Sequence, residues 1–372
     1  MAFNLVFMDG FDTYIDSTNN GMGVGDQLSR KGWDITELYG SNASQYILSG
    51  RYGGGSLMLD LGDSFILKTP TLIEISLTKS VVGFNLYHLP IAETVNSNPN
   101  IIDLGNNNNT VDSYPTRIDL INNNRDNYIV IEHGIITYFD ETNGYIELTM
   151  PISEGWHYIE IWIDTNKVGN NYTCNGVFVD GIGIPGINSQ KLIPHGGVST
   201  FKIGLSDSGY PGVGSQDLFD DFYVLGVDNF GEAPNTPRIL TRFPDNVGST
   251  SEWIVDSAND AVDAINNIPY DTTIGIRAPD APGLATQEYL FSDLITTYTD
   301  YKAAQVTAIL SNNVSKGYSH EVSVPGGAAY VDGTIFDSLE IQGRTSIYDP
   351  RGDISTVSFH DSLVYKILSS ID

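Results

Sequence analysis

GWHYIEIWIDTN (155–166), CNGVFVDG (174–181) and FKIGLSDSGYPGVGSQDLFDDFYVLG (201–226) are the stretches on which the fold of this chain turns. The first alternates. His157, Ile159, Ile161 and Ile163 fall on one side, and Trp156, Tyr158, Glu160 and Trp162 on the other. A period of two marks a strand with two distinct faces. After a polar Asn/Gly stretch, Gly176–Val179 predicts a second short strand closed by the Asp180-Gly181 turn, so the pair is an antiparallel hairpin. The third stretch carries Phe201, Ile203 and Leu205, a Gly-rich loop, and then Asp220-Asp221-Phe222-Tyr223-Val224.

Taken in order, W-x-x-I-x-I-x-I-D, F-V-D-G, F-x-I-G and D-D-F-Y-V resemble the laminin-G-like, concanavalin-A-like jelly roll. FMDGFDTY (7–14), KGWD (31–34) and SGRYGGGSLMLDL (49–61) resemble the version found in bacteriophage virion proteins of the tail or capsid surface. The likeness covers roughly residues 1–240. It extends through PRILTRFPDNVGSTSEWIVDSANDAVDAINNIPYDTT (237–273) and YDPRG (348–352), which look like the later segment of such proteins. It implies a structural or attachment role and no particular enzyme.

At 372 residues the chain has room for two domains of ordinary size. Short apolar runs punctuated by Gly, Asn, Asp and Pro recur at all-β spacing. The expectation is an all-β protein: a concanavalin-A-like jelly roll over 1–240, then a smaller β-rich domain over 241–372 with one or two short helices. The formal charge of −28, with 18 Lys and Arg, argues against nucleic acid, whose phosphates need cationic partners. It equally disfavours an anionic lipid surface. The plain consequence of the charge is a repulsive, soluble surface. The sharper one is that Asp side chains hold Ca²⁺, which prefers carboxylate oxygen. No cofactor is otherwise required. Cys174, the single cysteine, has no intrachain disulfide partner and reads as a small apolar residue. MAFNLVFMDGFD (1–12) has no basic region and reaches Asp9 before any long apolar run, so neither a signal peptide nor a membrane span is expected.

Along the chain, Phe3, Leu5 and Phe7 predict a first strand, placed by the resemblance beside Phe222–Val224. Residues 16–32 read as a loop, and Trp33 as a packing aromatic rather than a ligand platform. Arg51–Gly55 is a turn; its glycine run lacks the Lys-Ser/Thr and helix of a phosphate loop. Strands follow at Leu57–Leu61, Phe65–Lys68, Leu72–Leu77, Val81–His88, Arg117–Ile121, Tyr128–Glu132, Ile135–Asp140 and Tyr145–Met150, with an Asn-rich loop at Asn96–Asn109. Residues 227–249 read as a Pro-stiffened connection. Beyond it Ala258, Ala261, Val262, Ile265 and Ile268 have helical spacing, with Ser251 or Ser257 as cap. Gln287–Tyr298 reads as a helical turn or loop. Ala303–Leu310, His320–Val324, Ser338–Gln342, Val357–Phe359 and Val364–Leu368 return to strand.

The chemistry in the sequence is sparse. A jelly-roll glycosidase of the laminarinase kind needs E-x-D-x-x-E, because acid and nucleophile must flank the scissile bond. No Glu has Asp two positions later; Glu160 with Asp164 comes nearest, with Trp162 between them. Asp220-Asp221 point to opposite faces if they lie in a strand, which makes them a poor acid/base pair. The six His lack zinc spacing. There is no G-x-S-x-G elbow, and nothing proposes a Ser/His/Asp set. The chain is therefore expected not to be an enzyme. The surface that stands out is Trp156, Tyr158 and Trp162, rings suited to the apolar faces of sugars; the alternative is that they pack as core. The Ca²⁺ candidates are Asp9, Asp12, Asp220 and Asp221, since the first and last strands of the domain should be adjacent; the alternative is turn-capping and solvated Asp. Arg351-Gly352-Asp353 beside Asp349-Pro350 reads as a turn.

The expected function is that of a virion protein on tail or capsid, made in the host cytoplasm. It would contact other virion proteins and a host-surface glycan, as a homo-oligomer for which the class suggests a trimer. No nucleic acid and no membrane insertion are expected. The alternatives are a decoration or cement protein without sugar binding, a carbohydrate-active enzyme, and a bacterial lectin or adhesin.

Overall fold

A computed structural model describes residues 3–12, 14, 24–31, 33–39, 45–52, 54–59, 64–68, 79–88, 116–120, 127–132, 134–140, 146–168, 171–187, 191–194, 201–205, 218–230, 239–266, 274–279, 283–291, 304–310, 317–323, 330–332, 342–348 and 364–371. The chain divides into two compact units, one built from Val6–Asp16 and Gly23–Ile239, the other chiefly from Leu240–Asp372. The expected strand at Leu72–Leu77, the Asn96–Asn109 loop, the strand at Val357–Phe359 and the Arg351-Gly352-Asp353 turn lie outside the described residues.

The first unit is an antiparallel jelly-roll sandwich. Its elements are β1 (Phe3–Asp9), α1 (Val24–Arg30), β2 (Asp34–Tyr39), β3 (Gln45–Ser49), β4 (Gly55–Leu59), β5 (Ser64–Lys68), β6 (Lys79–His88), β7 (Thr116–Leu120), β8 (Asn127–Glu132), β9 (Ile135–Asp140), β10 (Ile146–Pro151), β11 (Gly155–Val168), β12 (Asn171–Val179), β13 (Ile182–Gly183), β14 (Lys191–Pro194), β15 (Phe201–Leu205) and β16 (Leu218–Val227). One sheet runs β13-β12-β11-β6-β16-β4-β3, with β1 also on β16 and β14 on β12. The other runs β10-β9-β8-β7-β15-β5-β2. The core lies between them. Val82, Phe84 and Leu86 of β6, Ile159, Ile161 and Ile163 of β11, and Phe219, Phe222 and Val224 of β16 join Ile129, Ile131, Ile136 and Tyr138 of the facing sheet. Each of these side chains is buried, which stabilises by roughly 1.5–3 kcal/mol apiece before entropy is counted.

Two expectations change here, and the one for Trp33 holds. Residues 24–30 form a helix rather than loop; Val24 and Leu28, four apart, give it one buried face. β12 starts at Asn171, so the polar stretch is mostly strand and not turn. The Asp180-Gly181 turn, with φ of 50° and 80°, joins β12 to β13. Both residues are left-handed, as a two-residue hairpin turn requires. Trp33 is core: it is 2% exposed, and its ring meets Phe7 edge-on at 4.8 Å and Phe222 at 5.0 Å.

The second unit is β-rich. A five-stranded antiparallel sheet runs β17 (Pro244–Ser251), β20 (Gly283–Phe291), β25 (Val364–Ile371), β22 (Gly317–Ser323) and β23 (Tyr330–Asp332). Two-stranded pairs join β18 (Ile254–Asp256) to β19 (Gly275–Arg277), and β21 (Ala304–Leu310) to β24 (Gln342–Tyr348). Trp253, Ala261, Tyr289, Tyr365 and Ile367 form its core. The expected helix is α2 (Ala261–Ile265), but Asp260 caps it, accepting from the backbone N–H of Val262 and Asp263 at 2.8 and 2.9 Å. Ser251 instead ends β17, and its hydroxyl donates to Gln287. The stretch from Gln287 to Phe291 is strand rather than helix or loop. β17 itself occupies what the sequence presents as connection. Its Pro244 opens an edge strand, where a missing N–H is tolerated.

Candidate functional site

The alternation on β11 sends Ile159, Ile161 and Ile163 into the sandwich core, so Trp156, Tyr158, Glu160 and Trp162 lie on the outer face of the nine-stranded sheet. Register adds their neighbours. Trp156 pairs Tyr87, Tyr158 pairs Asn85, Glu160 pairs Gly83 and Trp162 pairs Val81 on β6. On the far side of β6, Asn85 pairs Asp220 and Gly83 pairs Tyr223. Directly opposed residues of antiparallel strands share a face. The outer face is therefore a continuous strip of aromatic and polar side chains across β11, β6 and β16.

Glu160 is the hub of one end. It is 4% exposed. Its Oε1 accepts from the Tyr158 hydroxyl at 2.5 Å and the Tyr223 hydroxyl at 3.0 Å, and its Oε2 from Trp162 Nε1 at 3.2 Å. The two tyrosine hydroxyls also meet each other. Burial pushes the Glu160 carboxyl above the usual range, and these donors pull it back in part. Burial also raises both tyrosines, with the Glu160 charge adding to it, so they act as neutral donors.

The other end is built by a bulge. From Asp220 to Tyr223 β16 advances three residues while β6 advances two, from Asn85 to Gly83. Asp221 takes φ 50°. The bulge lets both Phe219 and Phe222 reach the core. It also corrects the expectation that Asp220 and Asp221 diverge. Asp220 Oδ2 accepts from Arg51 N at 2.9 Å and Asp221 Oδ2 from Asn85 Nδ2 at 2.7 Å, while Arg51 Nη1 donates to Asn85 Oδ1. Burial, and next the Asp221 charge, push the Asp220 carboxyl up to about 7. The N–H groups of Arg51 and Asp221 oppose this, and the Asp12 charge adds to it.

The four acidic candidates do not assemble as one ligand shell. Asp12 meets the same turn as Asp220, accepting from Gly55 N at 3.0 Å. Asp221 Oδ1 accepts from Ile239 N at 2.7 Å, and Asp220 Oδ1 from Asp221 N at 2.8 Å. Asp9 serves a separate network: it takes Phe11 N at 3.0 Å, Trp33 Nε1 at 2.9 Å and the Tyr14 hydroxyl, with Lys31 Nζ 3.6 Å away. Among the described residues no three His, Cys, Asp or Glu side chains are grouped as a metal ion requires.

The three aromatic candidates have different environments. Tyr158 is 3% exposed, with its hydroxyl bound to Glu160, so its ring does not present a surface. Trp162 is half-buried between Phe178 (ring centroids 4.2 Å) and Phe230 (5.1 Å, nearly parallel). Phe178 reaches it across Gly176, where a Cβ would fall 2.4 Å from the ring. Trp156 is half-buried and meets only Tyr87 among the described rings, edge-on at 5.5 Å. Sequence reasoning missed Tyr87, Asn85, Tyr223 and Arg51. The only sequence signal of Tyr87, Asn85 and Tyr223 is their position on strands whose pairing is long-range, and Arg51, in a turn, has none.

No family model and no curated protein matches the chain. Solved structures resemble it in outline. Domain 4 of AbnA, a GH43 extracellular arabinanase from Geobacillus stearothermophilus, in complex with arabinotriose, shares 12% identity at a TM-score of 0.37, over 61% of this chain and 94% of that one. The catalytic domain of a GH131 β-glucanase from Podospora anserina shares 11% at 0.37, over 63% and 98%. The ligand-binding domain of botulinum neurotoxin serotype D, in complex with N-acetylneuraminic acid, shares 12% at 0.33, over 90% and 91%. At these levels the likenesses bear on neither activity nor ligand.

Proposed function

We propose that this protein is a virion surface component whose jelly roll holds a host-cell glycan on the outer face of the nine-stranded sheet, without turning it over there. The observation that carries the proposal is the half-buried Trp156–Tyr87 pair, two rings from adjacent strands set edge-on on that face. Partly exposed aromatic rings on an outer sheet face suit the apolar faces of sugars. Trp162 supports this face from below the surface, and Trp156 makes the sugar contact. Binding rather than hydrolysis is supported by the carboxylates of the strip: Glu160, Asp220 and Asp221 are buried, and the protein's own donors occupy their oxygens. The virion assignment is supported by the ordered phage-like motifs of the sequence. Weak single sites suffice on a particle, where linked copies raise avidity roughly 10²–10⁴-fold.

The test is a glycan array probed with the wild type and Trp156→Ala. The expected result is capture by the wild type and its loss in a variant that still folds cooperatively, with a melting temperature lower by about 2–4 °C. A folded wild type silent on the array rejects glycan attachment in favour of a cement role; equal capture by both proteins rejects the Trp156 surface.

A further inference from the structure

We propose that Ser153, His157 and Asp180 form a nucleophilic centre for acyl-ester hydrolysis, separate from the glycan face. His157 is on the core-facing side of β11, 9% exposed. Its Nδ1 is 2.7 Å from Asp180 Oδ2, and its Nε2 is 3.2 Å from Ser153 Oγ. Asp180 is itself oriented, because Oδ1 accepts from Tyr158 N at 2.9 Å. Base, orienting acid and nucleophile thus stand in hydrogen-bond contact in the order that an activated serine needs. Ser153 and Asp180 are exposed, so the nucleophile is open to solvent.

Asp180 selects the ring tautomer. With the proton on Nδ1 facing the carboxylate, Nε2 carries the lone pair, and the Ser153 hydroxyl is its donor. The Ser153 carbonyl, 2.9 Å from the same nitrogen, can only accept, so it competes for Nε2, and the serine is activated only in the tautomer that leaves Nε2 unprotonated. The groups facing the ring are thus Ser153 from the β10–β11 connection and Asp180 from the β12–β13 turn. Residue 155 has nothing within 4 Å of where a Cβ would stand, so the ground two residues beyond the nucleophile is open. An open surface suits an ester on an exposed alcohol with a short acyl group.

In the reaction, Ser153 Oγ forms a bond to the acyl carbon and its proton passes to Nε2. The ester C–O bond breaks, and the departing alcohol takes that proton. Water then attacks the acyl-serine and gives a proton to Nε2. The carboxylic acid leaves, and Ser153 recovers its proton. Ester and water become acid and alcohol, with no other reactant.

The experiment treats the full chain at pH 8 with a fluorophosphonate probe, maps the adduct by peptide mass, and follows p-nitrophenyl acetate turnover. The expected result is an adduct on Ser153, absent in Ser153→Ala, with multiple turnovers in the wild type. Asp180→Asn keeps an Asn-Gly pair suited to the same turn, so it should fold with unchanged melting temperature. It should lose labelling and turnover by on the order of 10²-fold or more. No adduct on Ser153 in the folded wild type, no turnover beyond one equivalent, or an Asp180→Asn variant that reacts at the wild-type rate would overturn the proposal.

Discussion

Tyr223 reaches Glu160 by lying across Gly83. A Cβ built on residue 83 would fall 2.3 Å from the Tyr223 hydroxyl, and that hydroxyl is 3.0 Å from Glu160 Oε1 on the next strand but one. The glycine is there for clearance, with no left-handed backbone involved. Gly83→Ala should therefore displace a buried ring and break its bond to Glu160. The expected cost is about 1–3 kcal/mol, read as a lower urea midpoint with unchanged slope. A variant as stable as the wild type would mean the ring has another resting place.

Asp220 gives the stability a pH signature. Its carboxyl is raised in the folded protein to about 7, so folding favours the protonated form. The stability it contributes is full below the ordinary aspartate range. It falls as pH rises towards 7, and is level beyond. Asp220→Asn cannot titrate. The difference in melting temperature between wild type and variant should therefore shift against the wild type between about pH 4 and pH 7. A difference constant across that range would show that Asp220 titrates normally.

Asp9 is 4% exposed and accepts from a backbone amide, an indole and a phenol. Asp9→Ala orphans all three donors. The expected loss is about 3–5 kcal/mol, in the range for removing one partner of a buried charged network. Chemical denaturation measures it, and a loss under about 1 kcal/mol would mean that water replaces the carboxylate.

The oxygens of Asp9, Asp220 and Asp221 are committed to protein donors. Adding calcium or a chelator should then leave the melting temperature unchanged within error. A rise of several degrees with calcium would place a cation among groups that the described residues do not bring together.

The aromatic candidates separate on stability too. Trp162→Ala removes a ring held between Phe178 and Phe230, and should cost about 3 kcal/mol, near the low end for buried Trp. Trp156→Ala loses one edge contact, worth about 1 kcal/mol. Equal losses would show that Trp156 is as deeply packed as Trp162.

Much of the architecture was legible in period-two runs. His157 to Ile163, Val81 to His88 and Ile135 to Asp140 announce strands and assign their faces, because alternation is local backbone geometry. β17 and β2 were not legible. Pro244–Ser251 is poor in β-branched and aromatic residues, and it is a strand because β20 supplies its partners. α1 is hidden for the opposite reason: seven residues flanked by polar sequence carry too short a periodicity, and burial of Val24 and Leu28 decides it.

By itself, the sequence determined that the first unit is all-β, that Ile159, Ile161 and Ile163 share a face, and that Trp156, Tyr158, Glu160 and Trp162 share the other. Each of these follows from neighbours in the chain. Only the tertiary structure decided that β6, drawn from residues 79–88, separates β11 from β16, so that Tyr223 crosses Gly83 to Glu160 and a one-residue bulge gathers Asp220 and Asp221 around Arg51 and Asn85. It alone brought Ser153 and Asp180 to His157. Strand order and register are set by packing between segments far apart in the chain, and no local pattern encodes which strand becomes the neighbour or how far it slides.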